Sequence, residues 1–283
     1  MITGMPRIAI AVHDYPAIVS LFRDKFGMPV IDLSESSSKE YGAALGMCVP
    51  EGGSNIELMS PVDSSTPLGA SLQGFLDRRG EGLFALMLEA PVPDDEAEDL
   101  AARGLNVMPL MSGAFGRDVH PNSTHGVLIR VYPVNSFKGK HKAPVDGNDA
   151  PSISGIDRVI VAVEDLDHAV EVYGSQFNMA MDESLTDKER GVRSAICRPP
   201  TGGAIELVAV EDPARPFANS IARFLEGKQE GMYALVLQTS DLQATAKMLA
   251  ERGLEVNVSA DSSEVLEVDR EAAFGALIRI EAA

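Results

Sequence analysis

Cysteine is nearly absent. Cys48 and Cys197 are the only two in 283 residues and lie far apart, which excludes a disulfide framework and any zinc-ribbon spacing. Basic residues are scarce too, with 24 Lys and Arg against 42 Asp and Glu and a formal net charge of −18. Such an excess of acid opposes phosphate backbones and anionic membrane surfaces. The longest basic cluster, Lys138, Lys140, His141 and Lys142, is too small to offset it. No apolar run approaches the roughly 18 to 20 residues that cross a bilayer, and Met1 to Val12 lacks the parts of a signal peptide. Chemical motifs are also missing. Gly80-Glu81-Gly82 is too short for a phosphate loop and has no Lys or Ser/Thr after it. There is no Gly-x-Ser-x-Gly elbow, and neither Cys has a His nearby in sequence. The expectation is a cytoplasmic, soluble, globular protein with no nucleic-acid or membrane partner.

What the chain does have is an internal repeat. Arg7-Ile-Ala-Ile-Ala-Val-His-Asp14 matches Arg158-Val-Ile-Val-Ala-Val-Glu-Asp165 at an offset of 151. Asn55 to Leu58 matches Ala204 to Leu207, Phe75-Leu76 matches Phe224-Leu225, and Gly80 to Gly82 matches Gln229 to Gly231, all at 149. Arg103 to Leu105 matches Arg252 to Leu254, and Leu128 to Arg130 matches Leu277 to Arg279, again at 149. So constant an offset over so many segments is a tandem duplication. Between the copies, Ser136 to Ser154 is rich in charge and turn formers, including Gly139, Pro144, Gly147, Asn148 and Pro151. This predicts a first domain over 1–137, a linker over 138–153 and a second domain over 154–283.

Within each copy the pattern alternates between strand and helix. Over Arg7 to Val12, Ile8, Ile10 and Val12 point one way and Arg7, Ala9 and Ala11 the other. Asp14 is placed to cap a helix with Pro16 in its first turn and Ile18, Leu21, Phe22 and Phe26 as its apolar stripe. Asp165, Ala169, Val172 and Tyr173 stand at the matching places. Further strands are expected over 54–59, 83–89 and 126–132. A second helix is expected over Asp95 to Arg103, stopping at Gly104, with its counterpart ending before Gly253. Each half therefore reads as two β-α-β-β-β units, an α+β fold with four units in all.

These residues carry a resemblance. Arg7 to Asp14, Ile56-Glu57-Leu58, the run from Phe75 to Leu83 and the run from Thr124 to Ile129 look like the vicinal oxygen chelate superfamily of glyoxalases, bleomycin resistance proteins and extradiol dioxygenases. The first half looks closest to methylmalonyl-CoA epimerase and glyoxalase I. The resemblance implies two glyoxalase-like domains, each a curved, partly open sheet around a cavity holding one divalent metal. The four ligand positions it implies fall on Arg7, Glu57, Ala85 and Arg130 in the first half, and on Arg158, Glu206, Ala234 and Arg279 in the second. Guanidinium has no lone pair to give and alanine no ligand atom, and one carboxylate does not cage Zn²⁺, Fe²⁺ or Mn²⁺. No metal and no cofactor are therefore expected.

If the implied fold holds, Arg7, Glu57 and Arg130 converge in one cavity and Arg158, Glu206 and Arg279 in the other, each cluster with a formal charge of +1. Two readings stand side by side. The clusters are ion bridges bracing strands once tied by metal, or the spare charge grips a small carboxylate or enolate. Glu57 and Glu206 are candidates for a base, although an adjacent Arg weakens a carboxylate in that role. His125 is the second catalytic candidate. His120 and His125 occur only in the first half, and the expectation is that both face solvent on a loop, with His13 and His168 also at the surface. The twelve Met residues read as core filling. The leading function is metal-independent binding of a small anionic organic molecule. The alternatives are an isomerase, epimerase or lyase acting on a small organic acid or CoA thioester, an extradiol dioxygenase-like enzyme, or an interaction scaffold. Because one chain carries four units, a monomer or a homodimer is expected.

Overall fold

The computed structural model describes residues 1–111, 115–137, 141–142 and 153–283, so the expected linker at 138–140 and 143–152 lies outside the described residues. In the first half the strands are β1 (Gly4–Ala11), β2 (Val30–Asp32), β3 (Ala43–Cys48), β4 (Asn55–Pro61), β5 (Gly82–Ala90), β6 (Arg117–Val119), β7 (Leu128–Pro133) and β8 (His141–Lys142). They form one sheet in the order β6-β7-β5-β1-β4-β3-β2-β8. The second half contributes β9 (Ile153–Ala162), β10 (Ala180–Met181), β11 (Leu185–Asp187), β12 (Val192–Arg198), β13 (Ala204–Val210), β14 (Gly231–Thr239), β15 (Asn257–Val258), β16 (Val265–Val268) and β17 (Leu277–Ala282). Their order is β10-β12-β13-β9-β14-β17-β16-β15, with β11 beside β12. The fold is mixed α+β with two open sheets rather than closed barrels. β8 falls inside the expected linker, yet it pairs antiparallel with β2.

The centre of each sheet repeats. β1 lies parallel to β4 and antiparallel to β5, which lies parallel to β7. β9 stands in the same relation to β13 and β14, and β14 to β17. Helix α1 (Tyr15–Ser20) starts as expected, with Asp14 Oδ1 accepting from the Ala17 amide at 2.9 Å. Helix α4 (Pro93–Ala102) ends before Gly104, whose φ of 96° suits the left-handed position. The second-half equivalents are α5 (Leu166–Val170), capped by Asp165, and α7 (Leu242–Glu251). Three helices were not expected: α2 (Ser34–Tyr41), α3 (Pro67–Arg79) and α6 (Pro216–Lys228). Among the described residues no helix is long and apolar enough to cross a membrane.

Each sheet buries both faces. One face, with Ile8, Ile10 and Val12 in the first half and Val159, Val161 and Val163 in the second, belongs to a single apolar core that runs through both halves. The other face carries Ala9, Ala11, Ala85 and Met87 and is covered by Leu72 and Leu76 of α3. In the second half Ile160, Ala162, Ala234 and Val236 are covered by Phe217, Ala218 and Ile221 of α6. The α3 and α6 helices therefore occupy the faces on which the candidate site residues stand.

The two copies meet in a pseudo-symmetric way. Arg103 Nη1 donates to the Gln176 carbonyl at 2.9 Å, and its repeat Arg252 Nη1 donates to the Lys25 carbonyl at 3.0 Å. Gly126 lies against the Glu230 carbonyl and Gly275 against that of Glu81, so a Cβ at either glycine would collide with backbone. Both have φ between 75° and 81° as well. Gly126→Ala and Gly275→Ala are each expected to lower stability by about 2 kcal/mol, read as a shift in the denaturant midpoint. An equal loss at both positions is expected because they are the same contact made twice.

Candidate functional site

The first-half cluster is built on β1, β4, β6 and β7. Arg7 Nε donates to Glu57 Oε2 at 2.8 Å, and the Arg7 guanidinium lies 4.6 Å from the Tyr132 ring centre. Both side chains of the pair are about nine-tenths buried, 8% and 10% exposed. Met87 of β5 stands in register between Arg7 and Arg130. Arg130 turns to Asp118 of β6, 3.1 Å away, rather than to Glu57, and it sits 5.4 Å from the Phe84 ring. Its Nη2 is buried with no hydrogen-bond partner among the described residues.

In the second half Arg158 Nε donates to Glu206 Oε2 at 2.9 Å, and its Nη2 donates to both Glu281 oxygens at 2.9 Å. Arg190 takes the other Glu206 oxygen at 2.7 Å. Burial opposes the Glu206 charge, but Arg190 and Arg158 outweigh it and hold the carboxyl below its ordinary value. A group so held is poorly suited to accept a proton at neutral pH. Arg279 donates to Glu267 at 2.6 Å and to Asp261 at 3.0 Å. Burial also opposes the Asp261 charge, and Ser259 with Arg279 overcomes it and keeps this carboxyl low as well.

The expected surplus of +1 per cluster is therefore not what the fold contains. Asp118 neutralises the first cluster, while Glu206, Asp261, Glu267 and Glu281, four carboxylates, outweigh the three arginines of the second, Arg158, Arg190 and Arg279. The reason is physical: a buried guanidinium is costly unless carboxylates accompany it. Nor do the three residues of each cluster meet in one group, because Arg130 and Arg279 pair across to β6 and to the β15–β16 region instead. Asp118 and Glu267 are one repeat apart, so the offset of 149 could have revealed them. Asp261 aligns with Ser112, Glu281 with Tyr132 and Arg190 with Tyr41, so no symmetry signal marked those three.

A cavity of about 360 Å³ opens in the second half beside α6. Phe217 and Tyr233, edge to face at 6.1 Å, line it with Asp261, Glu267, Asp269, Arg270 and Arg279. Among the described residues Arg270 donates only to backbone carbonyls, those of Gly275 at 3.1 Å and Tyr233 at 2.7 Å. Burial pulls its guanidinium below the ordinary value. A second cavity, about 430 Å³, lies where the halves meet, between Arg79, Asn122, Gly126, Glu164 and Glu230.

His125 does not face solvent; it is 7% exposed. Its Nδ1 lies 2.8 Å from Glu230 Oε1 and its Nε2 lies 3.0 Å from Nδ1 of His168, which is exposed. Both partners belong to the other copy, so the loop that carries His125 is pinned by the junction. His13 is exposed as expected, and His120 is half-buried, its Nδ1 accepting from the Asn122 amide. Both cysteines are free and buried, and burial pushes their thiols up, Cys197 to about 12. Among the described residues no three His, Cys, Asp or Glu come together as a group that could hold a metal ion.

Two outcomes follow from the ion pairs. Glu57→Gln leaves Arg7 buried without its carboxylate and is expected to cost about 3–5 kcal/mol, whereas the joint change Arg7→Met with Glu57→Leu costs far less. Denaturant unfolding of the single and double variants reads this. Glu206 and Asp261 sit below their ordinary values of about 4, so their stabilisation is complete above that pH and is lost as pH falls through the lowered values. Thermal unfolding followed from pH 6 downwards, to about pH 3, is expected to show this decline, and Glu206→Gln to flatten it.

Residues 156–280 match the glyoxalase-like domain family. Comparison with curated proteins gives no sequence match. A triply substituted 4-hydroxymandelate synthase from Streptomyces coelicolor superimposes with a TM-score of 0.70 at 13% identity, over 99% of this chain and 92% of that one. A xylose isomerase-like TIM barrel/4-hydroxyphenylpyruvate dioxygenase fusion protein gives 0.66 at 14% identity, over 100% of this chain and 49% of that one. Methylmalonyl-CoA epimerase from Mycobacterium tuberculosis is 24% identical over 49% of this chain and 93% of that one, with a TM-score of 0.40. Residues 156–280 therefore carry a glyoxalase-like domain, and the chain along its whole length shares the fold of the 4-hydroxymandelate synthase and dioxygenase fusion structures.

Proposed function

We propose that this is a glyoxalase/bleomycin resistance-like binding protein whose metal sites have been replaced by ion pairs, and that it holds a small organic anion in the second-half cavity. In this reading 1–137 and 154–283 are the two domains, joined by 138–153, and the protein works in the cytoplasm as a monomer or homodimer. The donor set supports the replacement: at the four positions of each half stand two arginines, one alanine and a glutamate already bonded to arginine. Such a set does not fit a divalent ion.

The observation that carries the ligand assignment is Arg270. It is a half-buried guanidinium lining a cavity of ligand size, and its hydrogen bonds go only to neutral carbonyls. A carboxylate placed there would gain charge-assisted hydrogen bonds and supply the missing counter-charge. By contrast Arg7, Arg130, Arg158 and Arg279 already have carboxylates, which supports the bracing role for these clusters. A proton-transfer enzyme working through Glu57 and His125 has less support. Glu57 is held by Arg7, and His125 has both ring nitrogens engaged in the junction.

Calorimetric titration with phenylacetate tests the reading. Binding to the wild type is expected to weaken at least tenfold, about 1.4 kcal/mol, in Arg270→Gln, and to be unchanged in Arg130→Ala and by chelator. Absence of binding by phenylacetate and other small carboxylates to the wild type would contradict it.

A further inference from the structure

The second-half cavity holds a charge pattern that an anion alone does not complete. Its lining has two guanidinium groups, Arg270 and Arg279, and three carboxylates, Asp261, Glu267 and Asp269. Arg279 is shared between Asp261 and Glu267, and Ser259 lies between the same two acids. That leaves Arg270 and Asp269, adjacent in the chain. Among the described residues they are bonded neither to each other nor to any other charge, although Arg270 lies over the Phe224 and Tyr233 rings, 5.4 and 5.1 Å from their centres. Arg270 has its two carbonyls, and the Asp269 carboxylate accepts only from Asn257 Nδ2 at 3.2 Å.

Two more features point to a bound molecule. Arg279 is 3% exposed, yet its Nε has no acceptor although the residue lines the cavity. Phe217 and Tyr233 line the cavity beside these charges, with Arg190 and Arg279 over the first ring and Arg270 over the second, so a ligand ring meets them at their free edges. An aryl group stacked edge or face against such rings gains more than its buried area alone provides.

We infer that the ligand is a zwitterion carrying an aromatic group, an aromatic α-amino acid or a compound of the same layout. This rests on the anion-binding reading above and deepens it. The carboxylate of such a molecule meets Arg270, its ammonium group meets Asp269, and its ring meets the edges of Phe217 and Tyr233. An α-amino acid carries its two charged groups on one carbon, which suits opposite charges on neighbouring residues. A plain carboxylate would leave the exposed Asp269 to water alone, and a plain amine would leave the half-buried Arg270 with only its carbonyls and rings.

Three probes with the same ring and a similar chain separate the possibilities by calorimetry on the full chain: L-phenylalanine, 3-phenylpropionate and 2-phenylethylamine. Phenylalanine is expected to bind at least tenfold more tightly than either of the others. Arg270→Gln is expected to reduce it to the level of the amine, and Asp269→Asn to that of the propionate, with both variants checked for native circular dichroism. The wild-type comparison decides the matter even if a variant does not fold. Equal binding of 3-phenylpropionate and phenylalanine would overturn the zwitterion while leaving the anion reading intact. Binding by the amine alone, or by none of the three, would overturn both.

Discussion

A guanidinium taken out of water must bring its counter-charge with it. That constraint organises both halves of this protein. Arg7 and Arg158 stand on the central strands β1 and β9, on the face that each half covers with a helix. Each forces a glutamate onto the neighbouring parallel strand, Glu57 on β4 and Glu206 on β13. Arg130 and Arg279, two strands away, draw Asp118 and Glu267 onto the antiparallel strands beside them. Strands that would otherwise be joined only by backbone are thereby cross-linked through side chains on their buried face.

The halves answer the same constraint differently, and the difference shapes the charged cavity of the second. Where the first half has Tyr41, Leu68 and Tyr132, the second has Arg190, Phe217 and Glu281. Among the described residues the first-half face is packed by apolar side chains of α3, and Arg7 lies over the Tyr132 ring. In the second half both Arg190 and Arg279 lie over the Phe217 ring, and the charged network stands between α6 and the trailing strands. Pro121 and His120 of the first half correspond to Arg270 and Asp269 of the second, the two cavity charges with no ion pair among the described residues. The Arg–Glu pair thus recurs in both copies, whereas Arg270 and Asp269 have no charged counterpart in the first.

Much of this was legible in the sequence. The repeat offset, the alternation along Arg7 to Val12 and the capping positions of Asp14 and Asp165 led directly to the paired sheets. The α3 helix was harder to see. Leu68, Leu72, Phe75 and Leu76 have helical spacing, but Gly69 and Gly74 weaken the pattern. The partners of the arginines were only half visible, since Asp118 and Glu267 repeat whereas Asp261, Glu281 and Arg190 do not. His125 was misplaced because its partners, Glu230 and His168, come from the other copy. Local sequence says nothing about a contact made across the junction.

We propose that the arginine–carboxylate pairs stand on these two faces in place of a metal ion. Elemental analysis of the chain after incubation with Zn²⁺, Mn²⁺ and Fe²⁺, followed by dialysis without chelator, tests it most directly. The account predicts less than about one tenth of an ion per chain, because arginine and alanine give a divalent ion nothing to bind. One or two tightly held ions per chain, lost in Glu57→Gln or Glu206→Gln, would contradict it.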